Sequence, residues 1–470
     1  METPNIPTKP KGHGVLIAVI AVVVVVILVG SFIGLDYNNL FHPKPAAQTI
    51  FVYSGPAGPA NADHLLGGCV VAEMANGSTP MASAQLIAFL LNPAVQKSFG
   101  SATGFIPVDT GAFNTTPSTT IPTIYSASNA TVTVYYYASL TESDYNYVSS
   151  EMNTFMSMYK NIKVTPVFES ASKIVSEFQA QVQGHTHENI VTTIDNIDVG
   201  TLYYDNLLSN LTSIAPTITA GAGTISSVTG LNNYEVKVFH GIYFMTQLVN
   251  IPLVWINYTA MQKAGISSPP ATDAQLLSDA KTLYNYYGVG MVNFQGHGGA
   301  STPTELYQWM VQFGGNPMVF NDTGDIAAME YLYNLSAYFS PDYPASYWDT
   351  YTGLASNTYT MMDYQWPGSV NLTTLAMKPY NSSDTVVNAS FNALSTGVFI
   401  RDPVAWLSQW QFYMDAAWTS IIEDHSPYSQ IPTILSNENA ALFNYLNTTA
   451  GYGSSVAMQY EMGYFQPVVT

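Results

Sequence analysis

A group of polar and aromatic residues follows two segments that the sequence predicts to be β-strands. The first strand, 131–137, ends in three tyrosines, of which the last two are candidates, and the other, 189–193, leads into an acid and an amide. Carboxylates and amides hydrogen-bond hydroxyl groups, and aromatic rings pack on flat apolar faces. These residue types predict the binding of a polar small molecule. The candidates are Tyr136, Tyr137, Ser139, Glu142, Asp195 and Asn196.

Some of these candidates also fit a purely structural role. Glu142 fits the first turn of a helix, where a carboxylate interacts favourably with the helix dipole. The pair Asp195–Asn196 fits a structural role as well as a binding role. The sequence leaves both interpretations open.

Residue types suited to catalysis or metal binding occur without a supporting pattern. Two acidic pairs have the side chains that glycoside hydrolysis requires, but nothing in the sequence places them in a cleft: Glu423/Asp424 and Asp322/Asp325. His185 and His187 lack an obvious third metal ligand. No Gly-x-Ser-x-Gly nucleophile motif is present. The sequence therefore predicts no catalytic residue, no metal and no cofactor.

Strands alternate with helices in the stretch that carries the strand-end candidates. The predicted order is strand 131–137, helix 144–160, strand 161–168, helix 170–183 and strand 189–193. This alternation predicts a mainly parallel sheet, with ligands at the carboxyl ends of its strands. A linker rich in Thr, Ser and Pro precedes the series at 114–130.

The composition is acidic and poor in charge. Only 9% of the residues are charged, and the formal net charge is −19. A surface solvated by neutral polar groups still works where carboxylates are protonated, so we expect an acidic habitat. Clustered Lys and Arg are missing, which argues against nucleic acid as a partner. Cys69 is the only cysteine, so an intramolecular disulfide is excluded.

The N-terminal residues predict a membrane anchor. The stretch 14–35 is uncharged and long enough to cross a bilayer core of about 30 Å. Lys9 and Lys11 precede it, so the positive-inside tendency places 36–470 outside the cell. No small-x-small cleavage site follows, which favours an uncleaved anchor. Asn-x-Ser/Thr sequons, including Asn114, Asn129, Asn257, Asn334 and Asn447, predict glycosylation of this extracellular part.

Several segments together carry a family resemblance. They are Leu66–Val71 with its double glycine, the helix 84–97, Thr103–Val108, Tyr159–Val167, Val254–Ile266 with Pro269-Pro270, Phe313–Asn316 and Met361–Pro367. The chain resembles extracellular solute-binding protein family 1, the maltose-binding type of ABC-transporter substrate receptor. The sequence has an archaeal-like character, because Lys11-Gly12 before the apolar stretch resembles an archaeal pilin-type processing site.

The order of these segments departs from that of the family. In the family the double-glycine segment follows the tryptophan-proline segment, whereas here 49–113 lies directly behind the anchor. We interpret 49–113 as transposed to the N-terminus and expect it to pack on the first lobe. The alternative is an unrelated module that matches by chance.

The resemblance implies a two-lobed α/β fold of the periplasmic-binding-protein type II class, with a hinge. The predicted organisation is a cytoplasmic tip and anchor at 1–35, a spacer at 36–48, the transposed segment at 49–113, the linker at 114–130, lobe 1 at 131–245, lobe 2 at 246–400 and C-terminal helices at 401–470.

The implied function is a membrane-anchored extracellular receptor that delivers a solute, a sugar by family precedent, to the permease subunits of an ABC importer. The resemblance adds Gly67 and Gly68 near the hinge and the aromatic candidates Trp255, Trp309 and Trp366. Trp255 fits the core equally well. A cell-surface glycosidase and a structural or adhesive surface glycoprotein are the alternative functions.

Overall fold

The computed structural model describes residues 48–61, 63–103, 105–137, 142–219, 235–344, 347–365, 377–379, 386–449 and 464–465. The strands are β1 (Gln48–Tyr53), β2 (His64–Leu65), β3 (Gly67–Glu73), β4 (Ile106–Pro107), β5 (Ala130–Tyr137), β6 (Ile162–Glu169), β7 (Asn189–Asp195), β8 (Phe244–Asn250), β9 (Leu253–Asn257), β10 (Val292–Asn293), β11 (Met361–Gln365), β12 (Met377–Pro379), β13 (Val398–Phe399) and β14 (Tyr464–Phe465).

The α-helices lie between these strands along the chain. They are α1 (Pro80–Leu90), α2 (Pro93–Thr103), α3 (Glu142–Met158), α4 (Ala171–Gln183), α5 (Val199–Tyr204), α6 (Ala215–Ile218), α7 (Tyr258–Lys263), α8 (Asp273–Tyr287), α9 (Ser301–Gln312), α10 (Thr323–Ser336), α11 (Tyr347–Ser356), α12 (Val386–Thr396), α13 (Leu407–Trp418) and α14 (Ile431–Thr448).

The predicted α/β series forms one side of a six-stranded sheet, which with its helices is called the first lobe. The strand order is β4-β8-β3-β7-β5-β6. Strand β5 pairs in parallel with both β6 and β7. The predicted strands of this series pair in parallel, as expected, but the sheet as a whole is mixed, because β3 pairs antiparallel with β7 and β8, and β4 pairs antiparallel with β8. Because β5 and β7 run in the same direction, their carboxyl ends meet at one edge of the sheet.

Strand β3 of the transposed segment occupies a central position in the same sheet. It lies antiparallel between β7 and β8, with Cys69 opposite Asp195 and Gly67 opposite Asn250. Its last four residues are buried, and helix α1, which follows it, is buried over most of its length. This part of 49–113 therefore packs on the first lobe, as expected.

Strand β1 of the same segment departs from that expectation. It pairs with β9 in a five-stranded sheet of order β10-β11-β9-β1-β12, which with its helices is called the second lobe. Ile50 and Val52 point into one hydrophobic core, and Phe51 and Tyr53 pack on another. A strand with apolar side chains on both faces needs a sheet that is covered on both sides. The five-stranded sheet is such a sheet, because a hydrophobic core lies on each of its sides.

Short stretches of chain connect the two lobes. Leu65 ends β2, which pairs in parallel with β13, and Leu66 leads directly into β3. Ile251 and Pro252 join β8 of the first lobe to β9 of the second. The C-terminal helices α13 and α14 pack in the core of the second lobe, where Trp410, Trp418 and Leu435 are fully buried.

Glycine is required at the start of β3. Gly68 has φ +141°, and a Cβ at this position would lie 2.0 Å from the carbonyl oxygen of Leu248 on β8. We expect Gly68→Ala to lower the free energy of unfolding by about 3 kcal/mol or more, because it adds a clash to backbone strain. The matched control is Gly265→Ala, with φ +85° and no atom within 4 Å of the new Cβ. Urea unfolding measures both variants. If the two variants lose the same free energy of unfolding, the close contact with β8 is not the reason that glycine is required.

Within the described residues, no helix is both long and apolar enough to cross a membrane. The predicted anchor at 14–35 lies outside them. The predicted sequons differ in accessibility: Asn114, Asn129, Asn334 and Asn447 are exposed, whereas Asn257 is fully buried and caps helix α7. Asn257 is therefore not accessible for glycosylation in the folded chain.

Candidate functional site

The strand-end candidates Tyr137, Asp195 and Asn196 meet at the carboxyl edge of the first-lobe sheet. Tyr137 is the last residue of β5, Asp195 is the last residue of β7, and both are partly exposed. The Asp195 carboxylate accepts a hydrogen bond from the backbone N–H of Ile197, which fixes the turn after β7. The structure therefore brings together the residues that the alternation of strands and helices predicted.

Tyr136 points to the opposite face of β5. Only 1% of its surface is exposed, and its ring packs in the first-lobe core. Its hydroxyl and the amide oxygen of Gln247 have no hydrogen-bond partner within the described structure. Both residues line a small cavity of about 10 Å³ that Cys69 and Tyr137 also border. That volume suits a single water molecule bound to these polar atoms.

Asn196 links the strand edge to the chain between the lobes. Its amide nitrogen donates to the carbonyl oxygen of Leu66 at 3.3 Å, directly before the double glycine. Gly67 is buried and Gly68 is partly exposed. The predicted residues Asn196, Gly67 and Gly68 thus lie at the same junction.

A buried arginine joins this junction to the second lobe. One terminal nitrogen of Arg401 lies 3.4 Å from Oδ1 of Asp195 and 3.4 Å from Oδ1 of Asn196. The other donates to the hydroxyl of Thr304 on α9 at 2.9 Å. The Arg401 side chain is only 4% exposed. Its planar fork therefore contacts both lobes at once.

Asp198 completes this group of side chains. Burial, with a further contribution from Asp195, raises the pKa of Asp198 to about 7, and Arg401 opposes the rise. Burial lowers the pKa of the Arg401 guanidinium, whereas Asp195 and Asp198 oppose that change. A guanidinium nevertheless stays charged in proteins. We call Asp195, Asn196, Asp198, Thr304 and Arg401 the hinge cluster.

Sequence reasoning missed three members of the hinge cluster: Asp198, Thr304 and Arg401. One signal was present, because Arg401 is the only arginine in the 470 residues. A chain that otherwise uses lysine places its one rigid, fork-shaped cation at a buried junction, where planar two-point contacts are needed.

The structure does not support two of the aromatic candidates. Trp255, in the middle of β9, is fully buried and makes an edge contact with Tyr351 at 5.1 Å. Trp309 on α9 is also fully buried and contacts Tyr364 at 5.4 Å. Neither ring has a face open to a ligand, because each is packed within a hydrophobic core. The core alternative for Trp255 is therefore correct.

Of the remaining predicted residues, only Glu142 lies within the described part of the chain. Glu142 is the first residue of α3, as its helical alternative predicted. Ser139 and Trp366 lie outside the described residues.

The acidic pair Asp322/Asp325 has a structural role. Asp322 is the N-cap of α10, and the two residues form a capping box, each side chain bonding the other's backbone N–H. Glu423 and Asp424 are exposed. In the part of the chain that the structure describes, no group of three His, Cys, Asp or Glu side chains is suited to hold a metal.

Comparisons with known proteins agree with this architecture. No protein-family model and no curated protein matches the sequence. A protein from Synechococcus sp. MITs9220 assigned as an oligosaccharide periplasmic-binding protein aligns with a TM-score of 0.50 at 11% identity, over 66% of this chain and 98% of that one. The fold is that of the two-lobed periplasmic binding proteins.

Other solved structures align over a similar share of the chain. Maltose-bound MalE3 of T. maritima has a TM-score of 0.49 at 12% identity, covering 67% of this chain and all (100%) of the other. The galacto-N-biose-/lacto-N-biose I-binding protein of Bifidobacterium longum, in complex with lacto-N-biose, has a TM-score of 0.47 at 11% identity, covering 69% and 98%.

Proposed function

We propose that the chain is an extracellular solute receptor of an ABC importer and that its solute is a sugar held between the two lobes. The observation that carries the proposal is the hinge cluster, in which polar side chains of both lobes meet at the carboxyl edge of a sheet. Ligands of open α/β sheets bind at that edge. The fold that the chain shares with the Synechococcus oligosaccharide-binding protein supports the same assignment.

The proposed sugar contacts are the polar residues at this edge. Tyr137, Asp195 and Asn196 offer a phenol, a carboxylate and an amide, which suit the hydroxyl edge of a sugar. Ser139 and Glu142, which follow the first predicted strand, and Gly67, Gly68 and Trp366, which the family resemblance implies, complete the proposed set. Binding of the sugar favours the closed arrangement of the lobes, and that arrangement docks on the permease.

Membrane attachment belongs to the same proposal. The apolar stretch 14–35 anchors the chain, 36–470 faces the outside, and the permease subunits are the partners. We retain the transposed segment 49–113, the linker 114–130 and the C-terminal helices (401–470) as proposed boundaries. We move the proposed boundary between lobe 1 (131–245) and lobe 2 (246–400) to the end of β8 at Asn250, because β8 pairs with β3 in the first-lobe sheet. The archaeal-like character is part of this proposal. The pairing of β1 with β9 suggests that the second lobe begins within the transposed segment.

A panel of mono- and oligosaccharides tests the function by thermal unfolding of the full-length chain at pH 4 and pH 7. A ligand that binds only the folded state raises the melting temperature. We expect one sugar class to raise it by several degrees, and Asp195→Asn to weaken that sugar at least tenfold in calorimetry. The matched control is Glu177→Gln, a partly exposed carboxylate on α4 that should bind as the unchanged chain does.

The outcomes also distinguish the alternatives. Hydrolysis of a bound oligosaccharide would indicate a glycosidase. Cooperative unfolding without a shift from any sugar would indicate a surface protein that kept the scaffold and lost the binding.

A further inference from the structure

A second cavity lies on the helical side of the first lobe, away from the hinge cluster. It has a volume of about 340 Å³ and is bordered by α2, α3 and the linker. Its walls include Phe89, Val95, Ile121, Tyr147, Glu151 and Met158. We call it the outer pocket. Its size is within the range of small-molecule sites.

The linker forms a fixed wall of this pocket. The amide nitrogen of Asn92 donates to the carbonyl oxygen of Thr120 at 3.0 Å. The fully buried Gln85 donates to the carbonyl oxygen of Pro122 at 3.0 Å, and its own oxygen accepts the backbone N–H groups of Ile124 and Tyr125. These bonds hold 120–125 against α1 and the loop after it. Residues 120–125 of the predicted linker thus have a defined place in the first lobe.

Glu151 is the polar centre of the outer pocket. It is 8% exposed, and one carboxylate oxygen accepts a hydrogen bond from the hydroxyl of Tyr147. That hydroxyl lies 2.5 Å from the Ser98 hydroxyl. The second carboxylate oxygen, Oε2, is buried without a protein partner within the described structure.

An ionised carboxylate in such a place requires a donor or a cation. The residues that border the pocket include no lysine or arginine. The chain as a whole carries a net charge of −19, which attracts cations.

We propose that the outer pocket binds a small organic cation, a primary amine whose ammonium group donates to the carboxylate of Glu151 and whose apolar body packs on Phe89, Val95 and Ile121. The site is independent of the proposed sugar site. Burial raises the pKa of Glu151 to about 7, and Tyr147 opposes the rise. The titratable side chains that interact with Glu151 are Tyr147 on its own helix and Tyr136 from β5.

Benzylamine is the probe, measured at pH 8 by saturation-transfer NMR on the full-length chain, with the same detergent in every sample so that partitioning cancels. We expect Glu151→Gln to weaken benzylamine at least tenfold. Benzyl alcohol, of the same shape but uncharged, should bind the unchanged chain at least tenfold more weakly than the amine. The control Glu177→Gln, which removes a carboxylate from another helix, should leave the affinity for benzylamine unchanged.

A second variant tests the site without removing a core residue, so that a loss of binding can be distinguished from misfolding. Thr154 is exposed at the border of the pocket, and Thr154→Trp places a bulky ring there without removing a core residue. We expect it to unfold cooperatively and to lose benzylamine binding. No binding of benzylamine to the unchanged chain, equal binding to Glu151→Gln, equal binding to Thr154→Trp, or equal affinity for benzyl alcohol would each overturn the proposal. Because no sugar is present, failure here leaves the proposed receptor function unaffected.

Discussion

Replacing Arg401 by methionine is expected to lower the free energy of unfolding by about 2–3 kcal/mol. The side chain is 4% exposed and contacts Asp195, Asn196 and Thr304. Methionine fills a similar volume but leaves the carboxylate and the amide without their cation. The loss is smaller than for a fully buried pair, because the Asp195 side chain is 27% exposed and water compensates part of the charge that remains.

The double variant separates the pair from general damage to the core. Arg401→Met with Asp195→Asn removes both charges, so it should lose less free energy than the sum of the two single variants. Arg401→Lys should not restore stability, because an ammonium group lacks the planar fork that contacts both lobes. Urea unfolding monitored by tryptophan fluorescence provides all four values.

A surface ion pair supplies the control. Lys173 and Glu177 lie 2.8 Å apart on α4 and are 52% and 29% exposed. Lys173→Met should leave the free energy of unfolding nearly unchanged, because exposed pairs are screened by water and salt. A similarly small loss for Arg401→Met would show that the hinge cluster does not hold the lobes together.

The first-lobe sheet was accessible to sequence reasoning because its signals are local. Strand 131–137 and the helix that follows show their periods within a few residues, and alternation of the two dictates a parallel sheet. The partner of β1 was not accessible. Ile50 and Phe51 point to opposite faces, and only the tertiary structure shows that the covered sheet available to them is the one containing β9.

The candidate site divides in the same way. Asp195 and Asn196 follow a strand end and could be predicted, whereas Thr304 and Arg401 lie more than 100 residues further along the chain. No local pattern joins such distant segments. The resemblance and the aromatic residue type both predict Trp255 and Trp309 as ligand contacts, but neither signal shows that other parts of the chain bury the two rings.

Several buried carboxyl groups have raised pKa values, and these determine how the stability of the fold depends on pH. Burial raises the pKa of Glu73 to about 8, against a smaller opposite effect of Ser83. Burial likewise raises the pKa of Glu235 to about 8, against hydrogen bonds from the backbone N–H groups of Tyr243 and Phe244, and that of Asp273 to about 7. Burial and the neighbouring Asp322 also raise the pKa of Asp325.

The pKa of each of these carboxyl groups is raised on folding. In the unfolded chain such groups ionise near pH 4, whereas in the folded chain they keep their protons up to about pH 7 or 8. Between these values the folded state binds more protons, so stability falls as pH rises. His64 acts in the opposite sense, because burial lowers its pKa to about 4 and its contribution is lost as pH falls below about 6.5. One such group does not offset several carboxyls.

We therefore expect the free energy of unfolding to be greatest near pH 4 and to decrease by several kcal/mol toward pH 8, with Glu73 alone contributing on the order of 3 kcal/mol. Glu73 is 2% exposed, and Glu73→Gln keeps its shape while removing the ionisable group. That variant should equal the unchanged chain near pH 4, exceed it in stability at pH 8, and show a shallower pH dependence. Gln262→Ala, an exposed helical position without a titratable group, should leave the slope unchanged. Urea unfolding at pH 4, 6 and 8 measures the slope. A stability that rises with pH would mean that these carboxyls are ionised and compensated in the folded chain, and would remove the physical basis for an acidic habitat.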